Sequence, residues 1–97
     1  MSSTVEDLTI HYEEDGQIIV KELDKEVLTK GAWTTIMFRY QQLDRKTEEY
    51  GKDMYTIRRF RKMKGEYRPQ SKFNISSPAQ ARKIIDALEG WLKDVEE

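Results

Sequence analysis

The chain has 97 residues, 37% of them hydrophobic and 36% charged, with a formal net charge of −1. That length suits one domain with a small core, and so polar a balance leaves many strand and helix faces either wet or completed by a second copy of the chain. There is no cysteine and His11 is the only histidine, so disulfides, thiolate catalysis, cysteine-based metal sites and a multi-histidine centre within one chain are excluded.

Leu8, Ile10 and Tyr12 alternate with Thr9 and His11, the period of a strand. Asp15-Gly16 supplies a two-residue turn, and residues 17–28 read as the return strand, with Ile18, Val20 and Leu23 pointing inward. Residues 8–27 are therefore expected to form an acidic N-terminal hairpin. Lys30-Gly31 marks the next turn. Residues 33–43 carry Thr34, Thr35, Ile36, Phe38 and Tyr40 and read as a long strand, because β-branched and aromatic side chains fit a pleated surface. Residues 44–52 are polar and charged and read as a loop. Residues 53–63 form the next strand and Lys64-Gly65 the turn after it. Residues 67–75 are a further extended segment, whose Pro69 suits an edge or a bulge because it lacks an N–H for the ladder.

The C-terminal helix has the clearest signature. Ser77 can cap, Pro78 fits the first helical position, and Gln80 stands three residues after Ser77, a capping-box pattern. Ala81, Ile84, Ile85, Leu88, Leu92 and Val95 recur on one face, with Trp91 beside them. Gly90 either weakens the helix interior by about 1 kcal/mol relative to Ala or ends the helix before Trp91. Packing of this face on the sheet is the expected use of Ile84, Leu88, Trp91 and Leu92, and it leaves room for a dimer interface at the same residues.

The near-zero net charge hides an uneven distribution. Residues 1–26 hold two Lys and eight Asp/Glu, residues 27–83 hold fourteen Lys/Arg and five Asp/Glu, and residues 84–97 hold one Lys and five Asp/Glu, for segment charges of −6, +9 and −4. A basic middle between acidic ends fits an anion-binding face; it also fits self-complementarity, with the termini lying over the basic sheet or docking on a second copy. Within the basic middle, Arg58, Arg59, Arg61, Lys62, Lys64, Arg68 and Lys72 form the densest cluster. They read as phosphate contacts, or as a solvated face neutralised by Glu48, Glu49 and Glu66.

Strand 53–63 places Tyr55, Ile57, Arg59 and Arg61 on one face and Met54, Thr56, Arg58, Phe60 and Lys62 on the other. Cations and rings mix on both, which fits a sheet with one face on a helix and the other on a polymer; a charged edge strand guarded against aggregation is the alternative. Phe38-Arg39-Tyr40 repeats the ring-cation-ring pattern on the preceding strand. If the two strands pair antiparallel, they form one platform on which unstacked bases can lie. Phe38 reads as core; Tyr40 fits core and platform equally. No nucleophile–base pair or metal cluster is visible, His11 reads as a bystander, and no enzymatic activity, metal or cofactor is expected.

Residues 33–92 resemble the single-stranded-DNA-binding domain of the transcriptional coactivator positive cofactor four and its small bacterial relatives. The resemblance rests on Ile57-Arg58-Arg59-Phe60, Gly65-Glu66, Pro69, Lys72 and Ser77-Pro78-Ala79-Gln80, in that order, and spans roughly 60 of the 97 residues. It implies a curved sheet plus helix, a homodimer formed largely through the helices, and a sheet surface holding single-stranded nucleic acid with Arg58, Lys72 and strand 33–43 near the ligand. Three positions depart from the family pattern. Arg61 stands where a second aromatic is frequent, Phe73 where Gly usually follows the Lys, and Ala81 where the first helical turn often has an aromatic. The first departure trades stacking for charge, and the second shifts the in–out parity of Phe73 and Ile75.

The sequence thus predicts a single α+β domain: a curved antiparallel sheet of four to five strands, one C-terminal amphipathic helix and a homodimer using Ile84, Leu88, Trp91 and Leu92. The expected function is sequence-tolerant binding of single-stranded DNA or RNA in transcription or replication, through Arg39, Tyr40, Tyr55, Arg58, Phe60, Arg61, Lys62, Lys64, Arg68 and Lys72. The alternative is a protein-interaction module whose basic face is covered by the acidic termini. The transcription machinery is a further expected partner, and a membrane is not. Met1-Ser2-Ser3-Thr4-Val5-Glu6-Asp7 lacks the basic and apolar regions of a signal peptide, and no apolar run nears the roughly 20 residues of a membrane span. The expected location is cytoplasmic, nucleoid-associated or, in a eukaryote, nuclear.

Overall fold

A computed structural model describes residues 4–96. Two tight turns set its hairpins. Asp15 and Gly16 have φ of 51° and 80°, and Lys64 and Gly65 have φ of 52° and 80°. Two successive positive-φ residues give the turn whose twist matches the strands it joins. The first turn connects β1 (Tyr12–Glu14) to β2 (Gln17–Thr29), and the second connects β5 (Met54–Met63) to β6 (Glu66–Ile75). Between them runs β3 (Trp33–Asp44). All neighbours are antiparallel in the order β1-β2-β3-β5-β6, and the sheet curls into a half-barrel followed by one C-terminal helix. β5 is therefore a central strand, which removes the edge-strand reading of its charges. β6 is the edge, and its register with β5 shifts between Arg59 and Phe60, where Phe60 faces Pro69. A proline fits there because an edge strand has one side free of ladder bonds.

The segment expected as a loop over 44–52 contains a short strand, β4 (Glu49–Tyr50), paired back onto Leu43 and Asp44. The Gly51 N–H donates to the Gln42 carbonyl at 3.0 Å, and the Tyr50 hydroxyl reaches across β3 to the Ile18 carbonyl at 2.8 Å. Backbone pairing made the segment ordered, and polar composition gives no sign of that.

Register and alternation divide the sheet into two faces. Thr34, Ile36, Phe38 and Tyr40 stand opposite Phe60, Arg58, Thr56 and Met54, and most of this set is buried. This is the inner face of the curl. Ile36, Phe38, Phe60 and Tyr67 form its core, and the Tyr67 hydroxyl ties β6 to the β2–β3 turn by donating to the Gly31 carbonyl at 3.0 Å. Trp33, Thr35, Met37 and Arg39 stand opposite Arg61, Arg59, Ile57 and Tyr55 on the outer face.

The first expected strand is only partly formed, since β1 begins at Tyr12. Val5–Asp7 makes a single 3-10 turn, and Val5 and Leu8 pack into the inner-face core with Ile10 against its margin. The Lys25 ammonium donates to the carbonyls of Glu6 and Leu8 at 2.9 and 2.8 Å. The Glu22 carboxylate accepts from the Ile10 N–H at 3.4 Å. The physical reason is that a curled sheet with no second layer leaves its concave side wet, so the apolar residues of the N-terminal segment are drawn there instead of extending the hairpin.

α1 runs Pro78–Leu92 and passes through Gly90 without ending. The Ser77 hydroxyl accepts from the Gln80 N–H at 3.1 Å. Gln80 reciprocates one residue earlier than a standard capping box, its Oε1 accepting from the Ser76 N–H at 2.6 Å. The helix touches the sheet at β6, and none of its residues is buried. Ile84 is half-buried, but Ile85, Leu88, Trp91 and Leu92 are exposed, Trp91 at 76%. Packing on the sheet of the same chain, expected for Leu88, Trp91 and Leu92, does not occur.

Candidate nucleic-acid interface

The ten residues expected to bind nucleic acid divide between the two faces and the turn. β-strand alternation puts Arg39, Tyr55 and Arg61 on the outer face, joined by Arg68 opposite Arg61. Arg58, Lys62 and Lys72 have inner-face parity, with Lys72 directly opposite Arg58. Lys64 is at the tip of the β5–β6 turn. Tyr40 and Phe60 are both 5% exposed inside the half-barrel, so their rings are committed to the core and offer no platform to a base. That corrects the stacking role expected of these two.

Sequence reasoning counted Arg59 in the phosphate-binding cluster but did not single out Trp33. Trp33 is 40% exposed at the start of β3. The guanidinium of Arg59 lies 4.5 Å from its ring centroid and that of Arg61 lies 5.3 Å away. Both distances are within cation–π range. A strand register was the missing signal: Trp33 faces Arg61 and sits diagonal to Arg59 only once β3 and β5 are paired. The outer face therefore carries a half-exposed indole with two guanidinium groups against its ring, and Arg68 alongside on β6. On the inner face Lys62 lies over the buried Tyr67 ring at 5.7 Å. The Arg58 Nε is buried and has no hydrogen-bond partner.

Charge is polarised across the sheet. β1, β2 and their turn hold six carboxylates and two Lys; β5, β6 and their turn hold seven Lys/Arg and one Glu. β3 separates the two, so β2 and β5 are two strand spacings apart, about 10 Å, roughly one Debye length in physiological salt. The ion pairs reflect this. Arg39 pairs with Asp53 at 3.7 Å, Arg68 with Glu66 at 4.0 Å, and Arg45 with Glu14 at 3.0 Å. Among the described residues Arg58, Arg59, Arg61, Lys62, Lys64 and Lys72 pair with no carboxylate. The acidic hairpin does not neutralise the basic strands of its own chain.

A shallow cleft beside the β2–β3 bulge is lined by Asp24, Lys25, Met37, Phe38, Arg39 and Tyr55 and adjoins the outer face. No group of three or more His, Asp or Glu that could hold a metal occurs among the described residues. No helix among them is long and apolar enough to cross a membrane. Comparison of the chain with protein-family models, with curated proteins and with solved structures finds no match in any of the three.

Proposed function

We propose that this protein binds single-stranded DNA or RNA with little sequence preference, as a homodimer and without catalysis, in a transcription- or replication-associated role. The observation that carries the reading is the run of cations on β5, β6 and their turn that no carboxylate of the described chain pairs. Clustered unpaired cations repel one another, and a polyanion relieves that repulsion while releasing its own counterions. The half-exposed Trp33 beside Arg59 and Arg61 favours a single strand over a duplex, because only unstacked bases offer a face to a flat ring. The resemblance to the positive cofactor four domain supports the same reading and supplies the transcription- or replication-linked setting.

Shape supports the homodimer. The Cα radius of gyration is 15.7 Å, against about 12.5 Å for a compact chain of this length. The surface is 7510 Å², against about 5,800 Å² for a monomeric protein of this mass. The excess, about 1,700 Å² per chain, is about twice what each partner buries in a standard interface and falls in the range of obligate homodimers. An exposed stripe of Ile85, Leu88, Trp91 and Leu92 is where a second copy would remove apolar area from water. The rival reading, a protein-interaction module masked by its acidic termini, keeps its support on the inner face, where Val5–Asp7 brings Glu6 and Asp7 over the core; on the outer face the acidic β1–β2 hairpin lies across β3 from the cations. Competition in a gel-shift assay tests the proposal. A labelled single-stranded oligonucleotide should be displaced by unlabelled single strand far better than by the same mass of duplex. Equal displacement by duplex would remove the single-strand preference, and absence of any shift at low salt would remove the nucleic-acid reading.

A further inference from the structure

Resting on the nucleic-acid reading above, we infer that the single strand lies on the outer face of the half-barrel, with a base stacked at Trp33 and phosphates on Arg59, Arg61 and Arg68. This is the face opposite to the one on which the sequence resemblance would put Arg58 and Lys72.

Two needs must be met together on one surface: cations for phosphate and exposed flat groups for bases. The inner face meets only the first. Its cations are Arg58, Lys62 and Lys72, but its rings, Tyr40, Phe60 and Tyr67, are buried. Its concavity is occupied by Val5 and Leu8, and Glu6 and Asp7 ride on the same segment. A strand entering there would have to displace a hydrophobic plug and approach two carboxylates. The outer face meets both needs. Trp33 is 40% exposed with Arg59 and Arg61 at 4.5 and 5.3 Å from its ring, and guanidinium planes themselves stack on bases. Arg68 stands beside Arg61 on β6, extending the cations to the sheet edge, where its long, solvent-exposed pair with Glu66 at 4.0 Å is weak enough to give way to a phosphate. α1 leaves this end of the sheet open: it begins after Ile75, at the end of β6 away from the Lys64-Gly65 turn beside which Arg61 and Arg68 face each other.

The test compares two pairs of charge deletions and one ring deletion in the full-length chain, using a fluorescein-labelled oligothymidine of about 20 nucleotides, long enough to cover several strands. Circular dichroism confirms that each variant is folded. Arg59→Gln with Arg61→Gln should lower affinity and flatten the slope of log affinity against log salt by about 0.7 for each phosphate that is no longer neutralised. Trp33→Ala should lower affinity between about five- and 150-fold, the cost of one stacked base, and Trp33→Phe should recover most of it. Lys62→Gln with Lys72→Gln, on the inner face, should lower affinity by less than the Arg59/Arg61 pair does, because only the long-range attraction of two charges is lost. In a Trp91→Phe background, Trp33 becomes the sole indole, and oligothymidine should quench its emission. Loss of affinity in the Lys62/Lys72 pair with retention in the Arg59/Arg61 pair and in Trp33→Ala would overturn the outer-face assignment while leaving the nucleic-acid reading intact. No binding by the unsubstituted chain would overturn the reading and the assignment with it.

Discussion

Leu8→Ala separates two roles for the acidic N-terminal segment: part of the core, or a detachable cover for the cations. Leu8 is 5% exposed and packs with Val5, Ile36, Phe38, Phe60 and Tyr67. The substitution removes three buried carbons, about 2.4 kcal/mol of transfer free energy, and partial collapse of the cavity brings the expected loss to about 2.5–4 kcal/mol. A domain of this size has a total stability of about 5–15 kcal/mol, so the loss is a large fraction of it. Each kcal/mol lowers the melting temperature by about 4–8 °C in a domain this small. Urea unfolding followed by far-ultraviolet circular dichroism, at one fixed protein concentration because the proposed dimerisation would couple to stability, gives the value. At temperatures where Leu8→Ala remains folded, oligonucleotide affinity should equal that of the unsubstituted chain. A loss below about 0.5 kcal/mol, the scale of a surface substitution, would refute the docking of the segment. A gain in affinity on loosening it would show that the segment masks the cations instead.

Leu88→Lys with Trp91→Lys should convert a particle of twice 11.6 kDa into one of 11.6 kDa in sedimentation equilibrium, with helix content retained; a monomeric unsubstituted chain would remove the helix-mediated dimer. Ser77→Ala deletes the acceptor of the Gln80 N–H and should cost about 1 kcal/mol in urea unfolding, and Ser77→Asp should restore it. Gly65→Ala places a Cβ on a residue with φ of 80°, and should destabilise the β5–β6 hairpin by about 1–2 kcal/mol although nothing beyond its chain neighbours lies within 4 Å of that Cβ. A neutral result there would mean that the turn has relaxed to another geometry.

The parts of this fold that local chemistry controls could be read from the chain. Asp15-Gly16 and Lys64-Gly65 set the hairpins because their turns demand positive φ, and Ser77-Pro78 started the helix because a cap and a proline suit its first turn. The parts set by long-range packing could not. Leu8 and Ile10 show a strand period, but the concave core they enter is built by β3, β5 and β6, far along the chain. The two faces of β5 were indistinguishable in sequence because each alternates rings with cations. Only burial shows that Phe60 belongs to the core while Arg59 and Arg61 face outward. Trp33 escaped notice for a related reason: its partner Arg61 is found only by counting outward from a turn centred on Thr47, and nothing in the charged residues 44–52 marks that centre. The apolar helix face was legible as a stripe, yet its periodicity is the same whether it packs on its own sheet or remains exposed.

The central claim is that the unpaired cations of β5 and β6 hold a single strand, and fluorescence anisotropy of a labelled single-stranded oligonucleotide across a salt series tests it most directly. Neutralisation of the phosphates on Arg59, Arg61 and Arg68 predicts binding that is tight at low salt and falls with a log–log slope near about −2. A slope near zero, or no rise in anisotropy at the lowest salt, would contradict it.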